Sequence, residues 1–139
     1  MKTRFNNFLN EQKSQSFILS EIEDYGSFEG VVHSDIDRIK NWFISRKIDF
    51  NFYNSYIKIP IAFLNNINVD EEYRGSGYGN ELYSLFEEQC YEHDVKCIFL
   101  ECDITENQNE GFSLLKWYES FDFKVIGNNN GNPIMYKEL

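Results

Sequence analysis

Apolar residues along the chain switch between a two-residue and a 3.6-residue period, and each switch marks an element boundary. Ser16–Glu23 carries Phe17, Ile18, Leu19 and Ile22 and reads as a first strand. Ser34 followed by Asp37 has the residue types of a helix start, and Ile36, Ile39, Trp42 and Phe43 then recur at helical spacing through about Lys47. Phe50–Ile59 is aromatic and β-branched, alternates through Tyr56, Ile57, Lys58 and Ile59, and is expected to form a strand. Pro60 marks a break. Ile61–Val69 is the next expected strand, with Ala62, Leu64 and Asn66 on one face and Phe63, Ile67 and Val69 on the other.

A turn over Asp70–Tyr73 leads into a glycine-rich segment, after which Leu82, Leu85, Phe86 and Cys90 follow a helical period from Asn80 to about Asp94. Lys96–Cys102 is a compact apolar strand in which Ile98, Leu100 and Cys102 alternate against Cys97, Phe99 and Glu101. A second helix is expected from about Glu110 to Phe121, burying Phe112, Leu115, Trp117, Tyr118 and Phe121. Phe123–Ile126 and Pro133–Glu138 flank an Asn-Gly turn and read as a closing hairpin. Residues 1–14 are Asn- and Lys-rich, a frayed helix or a loose tail. Strands interleaved with helices imply an α/β sheet with helices packed on its faces. Strands joined through helices should run parallel, and the terminal pair antiparallel.

Composition narrows the class. With 139 residues, 42% hydrophobic and 17% aromatic, the chain fits one domain over residues 1–139 with a real core. It has no uninterrupted apolar run of membrane-spanning length, and Met1–Gln15 lacks the apolar stretch of a secretory signal. Cys90, Cys97 and Cys102 form no CxxC pair and stand at no metal spacing with a histidine, so buried thiols, a cytoplasmic setting and no metal are expected. The formal net charge of −10 argues against nucleic acid as a partner, since that affinity comes from neutralising phosphates. It is compatible with a cationic partner, and equally with acidity that only keeps the protein soluble. No membrane partner is indicated, and the oligomeric state is left open, a homodimer included.

The segment from Val69 to Asn80 carries the candidate chemistry. Gly75, Gly77 and Gly79 alternate just before a helix, so the backbone can take left-handed dihedrals and approach a ligand without Cβ interference. The first-turn N–H groups of that helix carry the positive end of its dipole, and together with the loop they suit a pyrophosphate. Arg74 would add a charge-assisted contact or brace the loop. A P-loop would place Lys and Ser/Thr after its last glycine, where Asn80 and Glu81 stand. A dinucleotide fingerprint would space its glycines as GxGxxG after a first strand, whereas this GxGxG lies near mid-chain.

Arg74-Gly75-Ser76-Gly77-Tyr78-Gly79 resembles the (Arg/Gln)-x-x-Gly-x-(Gly/Ala) signature of the GNAT superfamily of N-acyltransferases. Val69, five residues before the arginine, is similarly placed, and Trp117-Tyr118-Glu119-Ser120-Phe121-Asp122-Phe123 looks like the family's aromatic-Tyr-x-x-x-Gly-Phe landmark, with Asp122 in place of the glycine. The resemblance covers roughly Ile61 to Leu139. It implies a mixed central sheet splayed between its fourth and fifth strands, with helices on both faces. It also implies transfer of an acetyl group from acetyl-CoA, as co-substrate, to a primary amine of a small molecule or of a basic peptide or protein. The backbone of Gly75, Ser76, Gly77, Tyr78, Gly79 and Asn80 would hold the coenzyme A pyrophosphate, with Arg74 beside it. Ile67, Asn68 and Val69 would pair with the pantetheine amides, and the splay from the Lys96–Cys102 strand would open a cleft for the thioester. A non-catalytic acyl-CoA-binding or interaction module on the same fold is the alternative.

Direct transfer needs a neutral amine and a protonated leaving thiol, and an ordinary lysine-type amine has a pKa near ~10.4. Tyr118 occupies the family's acid position, although packing between helix and sheet would equally explain it. Glu101 and Asp103, on or just after the cleft strand, are candidate bases. The asparagine that members carry two turns before the tyrosine falls near Gly111 here, so Asn107 or Asn109 would fill that role from the loop, or neither would. Glu21, Glu23 and Asp24 read as a solvated acidic face, His33 and His93 as surface residues, and Cys102 as a core thiol.

Overall fold

A computed structural model describes residues 16–105 and 112–139; the expectations for residues 1–14 and for Asn107 and Asn109 fall outside these. Six strands form one sheet in the order β1-β2-β3-β4-β6-β5: β1 Phe17–Glu23, β2 Gly26–His33, β3 Ile61–Val69, β4 Cys97–Glu101, β5 Lys124–Asn129 and β6 Asn132–Glu138. Helices α1 (Ile36–Ser45), α2 (Phe50–Tyr53), α3 (Tyr78–Glu92) and α4 (Leu114–Glu119) connect them. The helix-linked pair β3–β4 is parallel, and the β5–β6 hairpin is antiparallel as expected. Its two-residue turn puts Asn130 and Gly131 at φ +53° and +95°, the left-handed geometry that matches the twist of the flanking strands.

Alternation along the central strands divides the core into two layers. Ala62, Leu64, Ile98 and Leu100 pack with Leu82, Phe86 and Cys90 of α3 on one face. Ile61, Phe63, Cys97 and Phe99 pack with Ile39, Trp42 and Phe43 of α1 on the other. Helices α1, α2 and α4 start where a side chain satisfies a first-turn N–H group, whereas α3 starts at Gly77 without one. Asp35 accepts from Asp37 N at 2.8 Å, and Ser113 accepts from Lys116 N at 3.2 Å.

Several sequence expectations are corrected. Phe50–Ile59 is not a strand: Phe50–Tyr53 is a helical turn followed by a 3-10 turn at Asn54–Tyr56. Asp49 caps that turn at Asn51 N, 3.0 Å away, while Phe50 and Tyr53, three residues apart, both pack on Phe43. Aromatic content mimicked a strand because tertiary packing overrides residue preference. The strand β2 was not expected at all. Its buried positions are Gly26, Phe28, Gly30 and Val32, a strict alternation hidden because two of the four are glycines. A Cβ at Gly30 would lie 2.6 Å from Phe63 O, and one at Gly26 would lie 2.2 Å from Asn68 O, so neighbouring strand backbone leaves no room for larger residues. The second late helix is confined to Leu114–Glu119, with Phe112 and Ser113 preceding it. His33 and His93 are half-buried: His33 Nδ1 lies 2.6 Å from Ser16 Oγ, and the His93 ring packs against Phe17.

The correction with most consequence concerns β3. Gly30 pairs with Leu64 but Glu29 pairs with Asn66, so Asn65 is an extra, unpaired residue in the strand. That bulge reverses the side-chain parity. Ile67 therefore shares the α3 face with Ala62 and Leu64, instead of the face of Phe63. Beyond Phe63, β3 also leaves β4, because their parallel pairing spans only Ile61–Phe63 with Cys97–Phe99. The expected splay lies between these two strands, the third and fourth of those described.

Candidate active site

Positive φ at Gly75 (+86°) and Gly77 (+84°) folds the β3–α3 junction into an open loop, and at both positions the space a Cβ would take is empty. Gly77 is the N-cap of α3 and has no side chain to offer the first-turn N–H groups. These groups stay available to an anion, reinforced by the dipole of a 15-residue helix. Arg74 braces the loop: its Nε donates to Val69 O at 2.9 Å and its Nη2 to Asn68 Oδ1 at 3.4 Å. Tyr78 stacks on Tyr25, which closes the outer side of the junction.

Beside the loop lies a cavity of about 470 Å³, walled by Ile67 and Val69, by the glycine loop, and by Leu114 and Trp117. Trp117 is a residue the sequence reading assigned only to packing. Its Nε1 donates to Asn80 Oδ1 at 2.9 Å, and its ring stands 3.2 Å from the Cβ position of Gly79. It thus ties α4 to the start of α3 and leaves no slack for a side chain at Gly79. Among the residues expected to hold a cofactor, Ile67, Val69, Arg74, Gly75, Gly77, Tyr78, Gly79 and Asn80 line this cavity, while Asn68 and Ser76 do not.

A second cavity, about 320 Å³, opens where β3 leaves β4. It shares the wall residues Ile67 and Leu114 with the first, so the two adjoin there. Its walls are polar and include Glu101, Asp103 and Tyr118, which the structure brings together. Tyr118 is only 6% exposed and packs against Trp117 and Phe123. The Glu101 carboxylate accepts from Asn129 Nδ2 at 3.1 Å and from Asn132 Nδ2 at 3.0 Å, so both oxygens are oriented by amides. Asp103 Oδ1 instead takes Thr105 N at 2.9 Å and Thr105 Oγ1 at 2.5 Å, a local turn that occupies that oxygen.

Sequence reading missed the opposite wall. Trp42 Nε1 and Arg46 Nη2 both donate to Asn65 Oδ1 at 3.1 Å, so the bulge residue is pinned to the last turns of α1. The Arg46 guanidinium lies 4.0 Å over the Trp42 ring. Burial lowers the pKa of Arg46 and the nearby Glu101 charge opposes that, but a guanidinium stays protonated. No spacing motif announces this group, because its parts come from α1, the β3 bulge and the β5–β6 hairpin. The thiols offer no nucleophile to the cleft: all three cysteines are buried, and burial pushes Cys90 up to about 12 and Cys97 to about 11. Among the described residues, no group of three or more His, Cys, Asp or Glu is placed to hold a metal, and no helix is long and apolar enough to cross a membrane.

A six-stranded mixed sheet, parted between β3 and β4 and bearing an open glycine loop at a helix start, defines an acyltransferase-like class of fold. The sequence model of the acetyltransferase (GNAT) family matches residues 6–123, and the chain belongs to that family. No curated protein sequence matches it. Among solved structures, an acetyltransferase from Bacillus cereus ATCC 14579 superposes with TM-score 0.62 at 16% identity, over 99% of this chain and 86% of that one. The PaiA N-acetyltransferase from Thermoplasma acidophilum, solved in complex with coenzyme A, gives 0.55 at 17% identity, over 99% and 70%. Arabidopsis thaliana Naa50 in complex with the bisubstrate analogue CoA-Ac-MVNAL gives 0.52 at 16%, over 83% and 66%. At these identities the likeness is one of fold.

Proposed function

We propose that the protein is an N-acetyltransferase that moves an acetyl group from acetyl-CoA to a primary amine by direct attack on the thioester. The observation that carries this is that the two cavities adjoin, with Ile67 and Leu114 as shared walls. A donor lying along the glycine loop would present its acyl end to an acceptor held on the far side of the sheet. The amides of Gly75, Ser76, Gly77, Tyr78, Gly79 and Asn80 would hold the pyrophosphate, with an asparagine of the preceding loop, Asn107 or Asn109, as a further contact. The β3 backbone from Ile67 through Asn68 to Val69, which has left β4, would pair with the pantetheine amides. One of its N–H groups would polarise the thioester carbonyl.

In the step itself the acceptor arrives as an ammonium ion and gives one proton to Glu101 directly or through water; Asp103 is the second candidate for that role. The free nitrogen lone pair then forms the N–C bond as the C–S bond breaks. Tyr118 protonates the departing sulfur and regains a proton from the second amine proton through solvent, while Glu101 releases the first, so the products are an amide, the free thiol and one released proton. Work in a reducing cytoplasm accords with three buried cysteines.

Thiol release from acetyl-CoA, measured over a panel of amines and basic peptides, tests the reading. Turnover with at least one amine is expected. Saturable acetyl-CoA binding with no turnover over the whole panel would instead favour a non-catalytic acyl-CoA-binding module.

A further inference from the structure

We propose that the polar cavity selects an acceptor carrying a carboxylate as well as its amine, an amino acid-like zwitterion, with Arg46 as the carboxylate's partner and Glu101 facing the ammonium. This deepens the acyl-transfer reading and rests on it. Four observations lead there. First, the cavity brings a guanidinium and a carboxylate into one space of about 320 Å³, a volume suited to a small molecule. Second, among the described residues neither Arg46 nor Glu101 forms an ion pair, although the Glu101 charge acts on Arg46. Asn129 links the two residues, donating to Glu101 Oε1 and to the main-chain O of Arg46.

Third, Arg46 is held in place before any ligand arrives. Its Nη1 donates to Trp42 O at 3.3 Å and Ser45 Oγ at 3.4 Å, its Nη2 to Asn65 Oδ1, and its plane rests on Trp42. Of five guanidinium N–H groups, these bonds leave Nε–H and one Nη2–H unpartnered among the described residues. That is the pair of donors a carboxylate takes side-on, and a fixed fork loses little freedom on binding. Fourth, the cavity that Arg46 lines is also lined by Ile67 and Leu114, the two residues it shares with the cavity beside the glycine loop. An acceptor gripped by its carboxylate would direct its amine toward the thioester. A simple diamine would meet Glu101 but leave Arg46 facing a second positive charge.

The test pairs acceptors that differ only in the anion. Thiol release from acetyl-CoA is measured for glycine, β-alanine and the common L-amino acids, each against its carboxamide. Wild type should prefer at least one acid over its amide by about tenfold or more in kcat/KM. Arg46→Gln should raise KM for that acid about tenfold with a smaller change in kcat, and bring the acid-to-amide ratio close to one. Because the ratio is taken within one variant, loss of folded protein does not imitate the effect. Arg46→Lys, which keeps the charge and loses the fork, should recover part of the preference. Amides or carboxylate-free amines used as well as the acids would overturn the proposal while leaving the transferase intact. Calorimetric titration of the same pairs in the presence of coenzyme A separates the remaining cases. Acid-selective binding that Arg46→Gln abolishes supports the anchor even without turnover, whereas neither turnover nor selective binding overturns it.

Discussion

Gly77 at the start of α3 and Tyr118 on α4 do opposite jobs with opposite means. Gly77 contributes an absence, since the space its Cβ would fill is open and its backbone is already in the left-handed region. Gly77→Asp would put a carboxylate where a diphosphate is expected, and calorimetry should show acetyl-CoA binding weakened at least about tenfold, or roughly 1.4 kcal/mol. Gly77→Asn tolerates the same dihedrals without the charge and should lose less; equal affinity of the Asp variant and wild type would relocate the phosphate site. Tyr118 lines the polar cavity while it packs within the core. Tyr118→Phe keeps that packing, so kcat should fall on the order of a hundredfold with acetyl-CoA affinity nearly intact. A variant with wild-type kcat would reduce Tyr118 to a packing residue.

Among the elements, β2 and β3 decide whether the cleft exists. The bulge at Asn65 turns Ile67 toward α3, and the α1 side chains Trp42 and Arg46 hold the extra residue by its side chain. Across the sheet Gly30 admits the carbonyl of Phe63 and the ring of Phe86, which a Cβ would approach to 2.6 Å and 2.9 Å. Gly30→Ala should therefore destabilise the fold by about 1–3 kcal/mol in urea unfolding, and an unchanged midpoint would mean the bulge relaxes easily. The same elements show what a sequence can and cannot disclose. The Arg74–Asn80 loop was legible because its open conformation depends on local backbone freedom, written as glycine spacing. Glu101, Asp103 and Tyr118 were legible as candidates because strand alternation and one family landmark located them. The bulge was not, since inserting one residue leaves composition and local period almost untouched while reversing every later side chain. Arg46 was not, since its role depends on three elements distant in sequence meeting at one point.

At the scale of the whole molecule, the formal charge of −10 bears on a ligand that is itself strongly anionic. The cradle offers amide dipoles, and its arginine is bent back onto Val69 O and Asn68 Oδ1. Glu71, Glu72 and Glu81 stand on the flanking helical turns. Local recognition is thus short-ranged and attractive, while the long-range field opposes approach. Salt separates the two, because the screening length falls from roughly 30 Å at 0.01 M to about 8 Å at 0.15 M, far above the contact distances inside the loop. Raising salt over that range should speed acetyl-CoA association in stopped-flow measurements, with dissociation changing little. Association that slows steeply with salt would mean that cationic side chains, not main-chain amides, draw the phosphates in. An uncharged or zwitterionic acceptor should show no comparable acceleration, because the field that repels coenzyme A acts on net charge and an amino acid-like molecule carries none.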